Sequence, residues 1–360
     1  MIVVRPIDVN DIYAFINLSF TARAGMTSMP KDRGMLEKKI FDSEKAFAKD
    51  VQQPGNENYL FVLEDLSNNA IEGICGINAK TGIDQPKYFF KIQNIEHFSP
   101  ILSTTPNIPL LRVISYENAP SEICSLYLLP EFRKEGLGRL LSLSRFLFAA
   151  SYLQRFDTTI YAEMRGFIDK NQICPFWEGM GRHFLNLDYT SLMHFRDLGN
   201  FDVTQVLPKH PLYISLLPKE VQEVIGKIHS NTWPAYHMLI EEGFYLTDDI
   251  DIFDAGPKIE AITKEIRSIK TSAIDIIAEI TRNPIESIRY IVSNHRLDFR
   301  ACYSTLQKDP KGIFLPAESA EALKVKVGDV IRYIVPSSDI PAHPLPLRNS
   351  EFLNFNGNAL

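Results

Sequence analysis

Between Ile123 and Leu129 the chain runs almost without a polar break, and Pro130 closes the run. A short apolar run ended by a residue with no N–H to give fits a strand buried on both faces. Leu137, Leu140, Leu141, Ser144, Leu147 and Phe148 then recur at three- and four-residue spacing, which predicts a long helix with one broad apolar face. Upstream, the β-branched run Ile2 to Arg5 ends at Pro6, and Asp8 or Asn10 offers a cap for a helix towards Phe20. A charged helical segment covers Asp32 to Ala48. Tyr59 to Leu63 and Ala70 to Asn78 predict two strands about the turn-forming residues Asp65 to Asn69. From Tyr88 to Tyr116, strand-like pieces broken by Pro100, Pro106 and Pro109 predict an additional hairpin arm. Thr158 to Met164 is another β-rich run, and Pro175 to Gly181 predicts a short helix that returns into a strand near Phe184.

Beyond Pro257 the texture changes to short apolar or β-branched runs joined by turns. Tyr290 to Asn294, Phe299 to Tyr303 and Val330 to Val335 read as strands, and Ala317 to Leu323 as a short helix before the turn Gly328-Asp329. Ile274 to Ile280 is strand or helix, since periodicity does not decide so short a run. The tail from Pro336 is rich in proline and asparagine and is expected to be loosely ordered.

Composition narrows the class. At 360 residues the chain has room for two or three domains with sizeable cores. With 45% hydrophobic and 23% charged residues it reads as a globular protein, and a net charge of −6 argues against a general nucleic-acid binder. No apolar run reaches membrane-span length. The start, MIVVRPIDVND, lacks the basic region and long apolar stretch of a signal peptide, so a cytoplasmic setting is expected. Cys75, Cys124, Cys174 and Cys302 are scattered without a C-x-x-C pair, which suits reduced core residues and predicts neither a disulfide framework nor a metal site.

The chemistry concentrates between the buried run and the long helix, in Arg133-Lys134-Glu135-Gly136-Leu137-Gly138. Strand, glycine loop, helix aims free backbone N–H groups and a helix dipole at a phosphate. Two glycines let the backbone approach a pyrophosphate, and Arg133 and Arg139 can add charge-assisted bonds. No Gly-Lys-Ser/Thr follows and the dinucleotide spacing is absent, while an ordinary strand–helix turn would also carry these residues. The spacing Arg133-x-x-Gly136-x-Gly138 resembles the signature of the CoA-dependent N-acyltransferase (GNAT) superfamily. That resemblance implies an α/β (α+β) acyltransferase fold over residues 1–189. Asn231-Thr232-Trp233 through Glu242-Gly243-Phe244 looks like a second element of that fold, so 190–256 is expected to be a degenerate second half without a second glycine loop. Residues 257–340 are expected to form a small β-rich barrel packed on this body, and 341–360 a loose tail.

From Val4-Arg5-Pro6 to Val335 the chain also resembles the arginine N-succinyltransferase family. The blocks that carry the likeness include Gly25-Met26-Thr27-Ser28-Met29-Pro30, Phe61 to Asp65, Gly73-Ile74-Cys75 and Ala162-Glu163-Met164-Arg165-Gly166. Further blocks are Pro175-Phe176-Trp177, Leu207 to Pro211 and Asp251 to Pro257. Arg23 and Ala24 stand where the family usually has glycines. The resemblance implies transfer of a succinyl group from succinyl-CoA, a co-substrate and not a permanently bound cofactor, to the α-amino group of L-arginine. It implies CoA contacts at Leu126, Arg133, Gly136 and Gly138, with Leu126 acting through its main chain on the thioester oxyanion. It matches the family's active-site histidine to His229, with His210 as rival.

A histidine ending an amphipathic helix would otherwise complement that helix's C-terminal dipole. For the substrate guanidinium, the carboxylates Glu122, Glu163, Asp251 and Asp254 are candidates, because a carboxylate suits that fork; Arg165 is the candidate for the succinyl carboxylate. Two other readings stay open. One keeps the fold and changes the acyl donor or the amine, such as ornithine; the other is a non-catalytic CoA-binding subunit. Apolar surface between the halves could support a homo-oligomer.

Overall fold

The computed structural model describes residues 1–22, 26, 28–96, 107–197, 202–283, 285 and 287–336. The expectations for Arg23, Ala24, Gly25 and Thr27, for Pro100 and Pro106, and for the tail 341–360 therefore lie outside the described residues.

Strand β1 (Ile2–Pro6) leads into α1 (Ile12–Thr21) and α2 (Arg33–Ala48), then β2 (Asn58–Asp65) and β3 (Ala70–Asn78). Both helix starts are set by acids: Asp8 and Asp11 form a capping box, and Asp32 accepts the Met35 N–H at 2.8 Å. β4 (Lys87–Glu96) and β5 (Asn107–Tyr116) form the hairpin arm, followed by β6 (Ser121–Leu128), α3 (Leu137–Ser151) and β7 (Thr159–Glu163). α4 (Arg182–Leu185), α5 (Tyr189–Asp197), β8 (Leu212–Tyr213) and α6 (Lys219–Gln222) precede α7 (Trp233–Glu241), β9 (Tyr245–Asp251) and β10 (Pro257–Ile262). The last described elements are α8 (Arg267–Thr271), β11 (Ala273–Thr281), β12 (Tyr290–Asn294), β13 (Ala301–Ser304), β14 (Gln307–Asp309), β15 (Gly312–Pro316), α9 (Ala317–Leu323) and β16 (Val330–Ile334).

The central strands lie in the order β1-β2-β3-β6-β7-β10-β9-β4-β5-β8. Every pairing among them is antiparallel except β6 with β7. Alternation along β2 sets the layers. Tyr59, Phe61 and Leu63 face α3, and Leu60 and Val62 face α1 and the Leu36–Ile40 side of α2.

The stretch expected as a degenerate second half does not stand apart: α7 leads into β9, and β9 and β10 continue the same sheet beyond β7. The boundary expected at Pro257 falls on the first residue of β10, inside that sheet. The β-rich unit follows α8 and joins edge to edge, with β13 pairing β1 at Val3–Cys302 and Val4–Ala301. Its strands run β14-β15-β11-β16-β12-β13, so Ile274 to Ile280 is strand, and α9 covers a core of Ile277, Val292, Leu315 and Leu323. Near Phe184 the expected strand is instead α4. A π-turn over Trp177–Gly181 feeds it, and the Trp177 ring fills the space where a Gly181 side chain would sit.

Phe148 of α3 ties the two units together. It is fully buried, with ring centroids 5.2 to 6.0 Å from Phe47, Tyr59, Phe61, Tyr152, Phe156 and Phe299. Phe148→Ala should cost about 3–5 kcal/mol in denaturant unfolding. The loss should fall on one cooperative transition because Phe61 and Phe299 lean on the same ring. A loss below about 1 kcal/mol, or a separately melting β-rich unit, would contradict this shared core.

Candidate active site at the parting of two parallel strands

β6 and β7 pair at only two positions, Ser121–Ile160 and Glu122–Tyr161. Just past that point β6 carries a bulge: Ser125 and Leu126 stand opposite the single residue Cys75 of β3, and Ser125 adopts φ +55°. Two groups hold this kink. The Ser125 N–H donates to Ser28 Oγ at 3.2 Å, which ties Ser28, between α1 and α2, to the strand. Arg145 of α3 is 1% exposed and sends Nη1 to the carbonyls of Gly76 (3.4 Å) and Cys124 (3.5 Å). Its Nη2 donates to Ser142 Oγ at 2.8 Å, and burial draws its pKa down from the usual arginine range. The Leu126 side chain packs half-buried on the main core, while its main chain lies in the bulge without a register partner on β3.

At the carboxyl end of β6, the turn over 130–136 reverses the chain into α3. Glu135 and Gly136 are both left-handed, at φ +55° and +76°, and Gly136 caps the helix. Leu137, Arg139 and Leu140 donate to Lys134 or Gly136 carbonyls, whereas the amides of Glu135, Gly136 and Gly138 make no hydrogen bond to a described residue. Three free donors at a helix N-terminus are suited to an anion. A side chain at Gly138 would meet only Leu128, at 4.0 Å. Arg133 folds back, donating from Nε to the Leu128 carbonyl at 3.0 Å and lying over the Tyr127 ring. Arg139 is paired with Glu241 at 3.1 Å, so its side chain faces α7.

At the carboxyl end of β7 the acidic candidates converge. Lys87 bridges Glu163 (3.1 Å) and Glu122 (3.4 Å), and Asn78 donates to Glu122 at 3.2 Å. Burial opposes the Lys87 charge, but the two carboxylates outweigh it and hold its pKa well above the usual range. Burial pushes Glu122 up, against the pull of Lys87. Asp251 accepts the Phe253 and Asp254 N–H groups, and Asp254 accepts those of Gly166 (2.9 Å) and Gly256 (2.8 Å). Burial raises both acids. Glu163 adds to the effect on Asp251, and Asp251 lifts Asp254 to about 7. Glycine is required at 166 and 256, where a Cβ would lie about 2 Å from the Asp254 and Met164 carbonyl oxygens.

His229 enters through this same strand end. Its N–H donates to the Arg165 carbonyl at 2.9 Å, and Gly166 bridges Ile228. It does not end an amphipathic helix: α6 stops at Gln222, and His229 instead begins the turn into α7, its Nδ1 accepting the Asn231 N–H at 3.1 Å. The imidazole is buried at 7% exposure. His210, the rival, is exposed in a loop before β8.

Two groups of candidates thus sit at the carboxyl ends of adjacent parallel strands. Leu126, Arg133, Gly136 and Gly138 lie on β6 and its turn; Glu163, Arg165 and His229 lie on and against the end of β7. Lys87, Ser28 and Ser125 were not legible as site residues, because their positions depend on pairings distant in sequence. No helix among the described residues is long and apolar enough to cross a membrane, and no group of three metal-ligating side chains occurs among them.

The chain matches the family model described as arginine N-succinyltransferase beta subunit over residues 2–268, and that of its C-terminal domain over 276–334. Arginine N-succinyltransferases of Citrobacter koseri and Salmonella agona are each 34% identical to it over 336 residues, 93% of this chain and 97% of theirs. A solved structure titled arginine/ornithine succinyltransferase subunit AI from Pseudomonas aeruginosa superposes with a TM-score of 0.86 at 33% identity, covering 94% of this chain and 99% of that one. The chain belongs to the arginine N-succinyltransferase family and is an acyltransferase.

The Asp251–Asp254 pair makes a pH dependence. With its folded pKa raised to about 7, Asp254 holds a proton that the unfolded chain has released above the ordinary aspartate range. Its contribution to stability is therefore full in acid and lost as pH rises through about 7. Asp251→Asn keeps the oxygen that caps Phe253 and Asp254 and removes the charge that lifts Asp254. Its melting temperature should fall less steeply than wild type's between about pH 5 and about pH 8. Parallel curves would show that the two acids do not interact.

Proposed function

We propose that this family member transfers a succinyl group from succinyl-CoA to the α-amino group of L-arginine, giving N2-succinyl-L-arginine and CoA. The observation that carries the reading is a family match over residues 2–268, in a chain whose glycine turn has three amides without a hydrogen bond to a described residue beside a parted parallel strand pair.

In this reading the amides of Glu135, Gly136 and Gly138 bind the CoA pyrophosphate, with Arg133 stiffening the turn. The amine nitrogen of arginine attacks the thioester carbonyl, forming a C–N bond. The C–S bond then breaks and the electron pair leaves on sulfur. The Leu126 amide, in the bulge, stabilises the oxyanion between those events. His229 handles the proton. Because its Nδ1 already accepts the Asn231 N–H, the neutral ring carries its hydrogen on Nε2. With that tautomer His229 passes its Nε2 hydrogen to the leaving thiolate and takes up, on the same nitrogen, the proton that the attacking nitrogen releases as the amide forms, so the ring is neutral before and after. Glu163 and its neighbours Asp251 and Glu122 offer carboxylates to the guanidinium, and Arg165 a guanidinium to the succinyl carboxylate. The four free cysteines support a reducing, cytoplasmic setting. Ornithine as the acceptor is the second reading, supported by the likeness to the Pseudomonas arginine/ornithine succinyltransferase subunit; likeness to a subunit also supports work within an assembly.

Two variants test this. Gly138→Asp places a carboxylate where space is open, so the fold should hold while KM for succinyl-CoA rises at least about tenfold. An unchanged KM removes the phosphate role of the turn. His229→Asn keeps an oxygen able to cap α7 but cannot shuttle a proton. It should melt close to wild type yet lose about 10²–10⁴-fold in kcat. Normal turnover would leave His229 as a cap alone.

A further inference from the structure

The β-rich unit reaches over to the glycine turn. Tyr303, on β13, donates its hydroxyl to the Gly136 carbonyl at 2.9 Å. Arg289, just before β12, donates from Nη1 to the Glu135 carbonyl at 3.0 Å. The two side chains support one another, the Arg289 guanidinium lying 3.5 Å over the Tyr303 ring. At the far end of α3 the same unit binds again: Arg332 donates to Ser151 Oγ and to the Ala150 carbonyl, each at 3.0 Å. The helix is gripped at both ends by side chains that no catalytic step requires.

The consequence for the turn follows from peptide geometry. The Glu135 carbonyl and the Gly136 N–H belong to one planar unit and point in opposite directions. Fixing that carbonyl with a guanidinium therefore fixes where the free N–H aims, and a charge-assisted bond polarises it as a donor. Glu135 needs such a hold, because a residue with a Cβ at φ +55° resists the left-handed region. Tyr303 also packs where a side chain on Gly136 would begin, 2.7 Å from its Cβ position. Glycine at 136 thus answers both to the positive φ and to the tyrosine.

The geometry points to Arg289 and Tyr303 as positioning residues for the acyl-CoA pyrophosphate, held in the β-rich unit and acting through the carbonyls of Glu135 and Gly136. This rests on the phosphate role of the turn proposed above. The β-rich unit is on this account a brace of the donor site, and affinity for acyl-CoA depends on its docking.

The test uses the full chain with Tyr303→Phe, Arg289→Gln and the double variant. Calorimetry gives Kd for CoA, and turnover is compared between succinyl-CoA and succinyl-pantetheine, which lacks the pyrophosphate and nucleotide. Each single variant should raise Kd for CoA and KM for succinyl-CoA about 5–20-fold, with kcat within about twofold and an unchanged melting temperature. With succinyl-pantetheine they should match wild type. Unaltered Kd and KM in the double variant, or equal losses with both donors, would overturn the brace. If Tyr303→Phe melts lower, Arg289→Gln, at an exposed side chain, still decides it. A wild-type chain that uses succinyl-pantetheine as well as succinyl-CoA would instead sink the phosphate role of the turn itself.

Discussion

Parallel strands normally lock together along their length, yet β6 and β7 pair at two positions and then separate. The separation has to be held, because main-chain donors and acceptors on the facing edges lose their ladder partners. On the β6 side the bulge at Ser125–Leu126 bends the strand, Ser28 takes the Ser125 N–H, and Arg145 fastens the carbonyls behind it. On the β7 side β10 pairs along the whole strand, and Asp254 binds the Gly166 N–H just beyond it. Each strand is thus tied to a different neighbour, so the gap is a product of the sheet. The unpaired edge it leaves is where an extended ligand can bond to the main chain.

The charges around this gap are few and expensive. Arg145 is buried without a carboxylate among its described partners, and it is tolerated because backbone and serine oxygens accept its donors. Lys87 solves the opposite problem. Glu122 and Glu163 lie close enough to repel, and one ammonium between them bridges both carboxylates and opposes the upward push that burial gives Glu122. Asp251 and Asp254 have main-chain N–H groups instead, which neutralise less, and so they share the burden by holding on to a proton. The acids therefore do two jobs. Asp254 shapes the end of β7 and, through the Gly166 N–H, the entry of His229, while Glu163 shares the Lys87 ammonium with Glu122.

What the sequence revealed was local. Ile123 to Leu129, Pro130, the glycines and the apolar stripe of α3 are contiguous, and each speaks through propensity or spacing that needs no distant partner. The hairpin arm and the strands of the β-rich unit were legible for the same reason. Asn231 to Phe244 reads as part of a second half, because nothing in a helix or in the strand that follows it says which neighbour it will join. The strand after α7, β9, pairs with β10, and β10 in turn takes its register from Ile160 to Glu163, about a hundred residues back. Phe184 misled because aromatic residues favour strands in isolation, and the Trp177–Gly181 contact that continues the helix is a matter of packing. His229 was singled out by family likeness, yet its place as a cap depended on where α6 stopped, and helix ends are the least legible feature of a chain.

The long helix α3 explains why the β-rich unit is present at all in a fold whose chemistry lies elsewhere. Its N-terminal amides gain from aligned peptide dipoles only while the helix and its first turn are held in one orientation. The dipole runs from the free amides to the carbonyl of Ala150, and Arg332 supplies a cation at that negative end. Tyr303 and Arg289 hold the carbonyls at the positive end, and Phe299 anchors the same unit to Phe148 in the middle. A β-rich unit attached through a single strand pair, β1 with β13, would otherwise be free to hinge on it. Three contacts along one helix remove that freedom, and they couple the glycine turn to a part of the chain more than 150 residues further on.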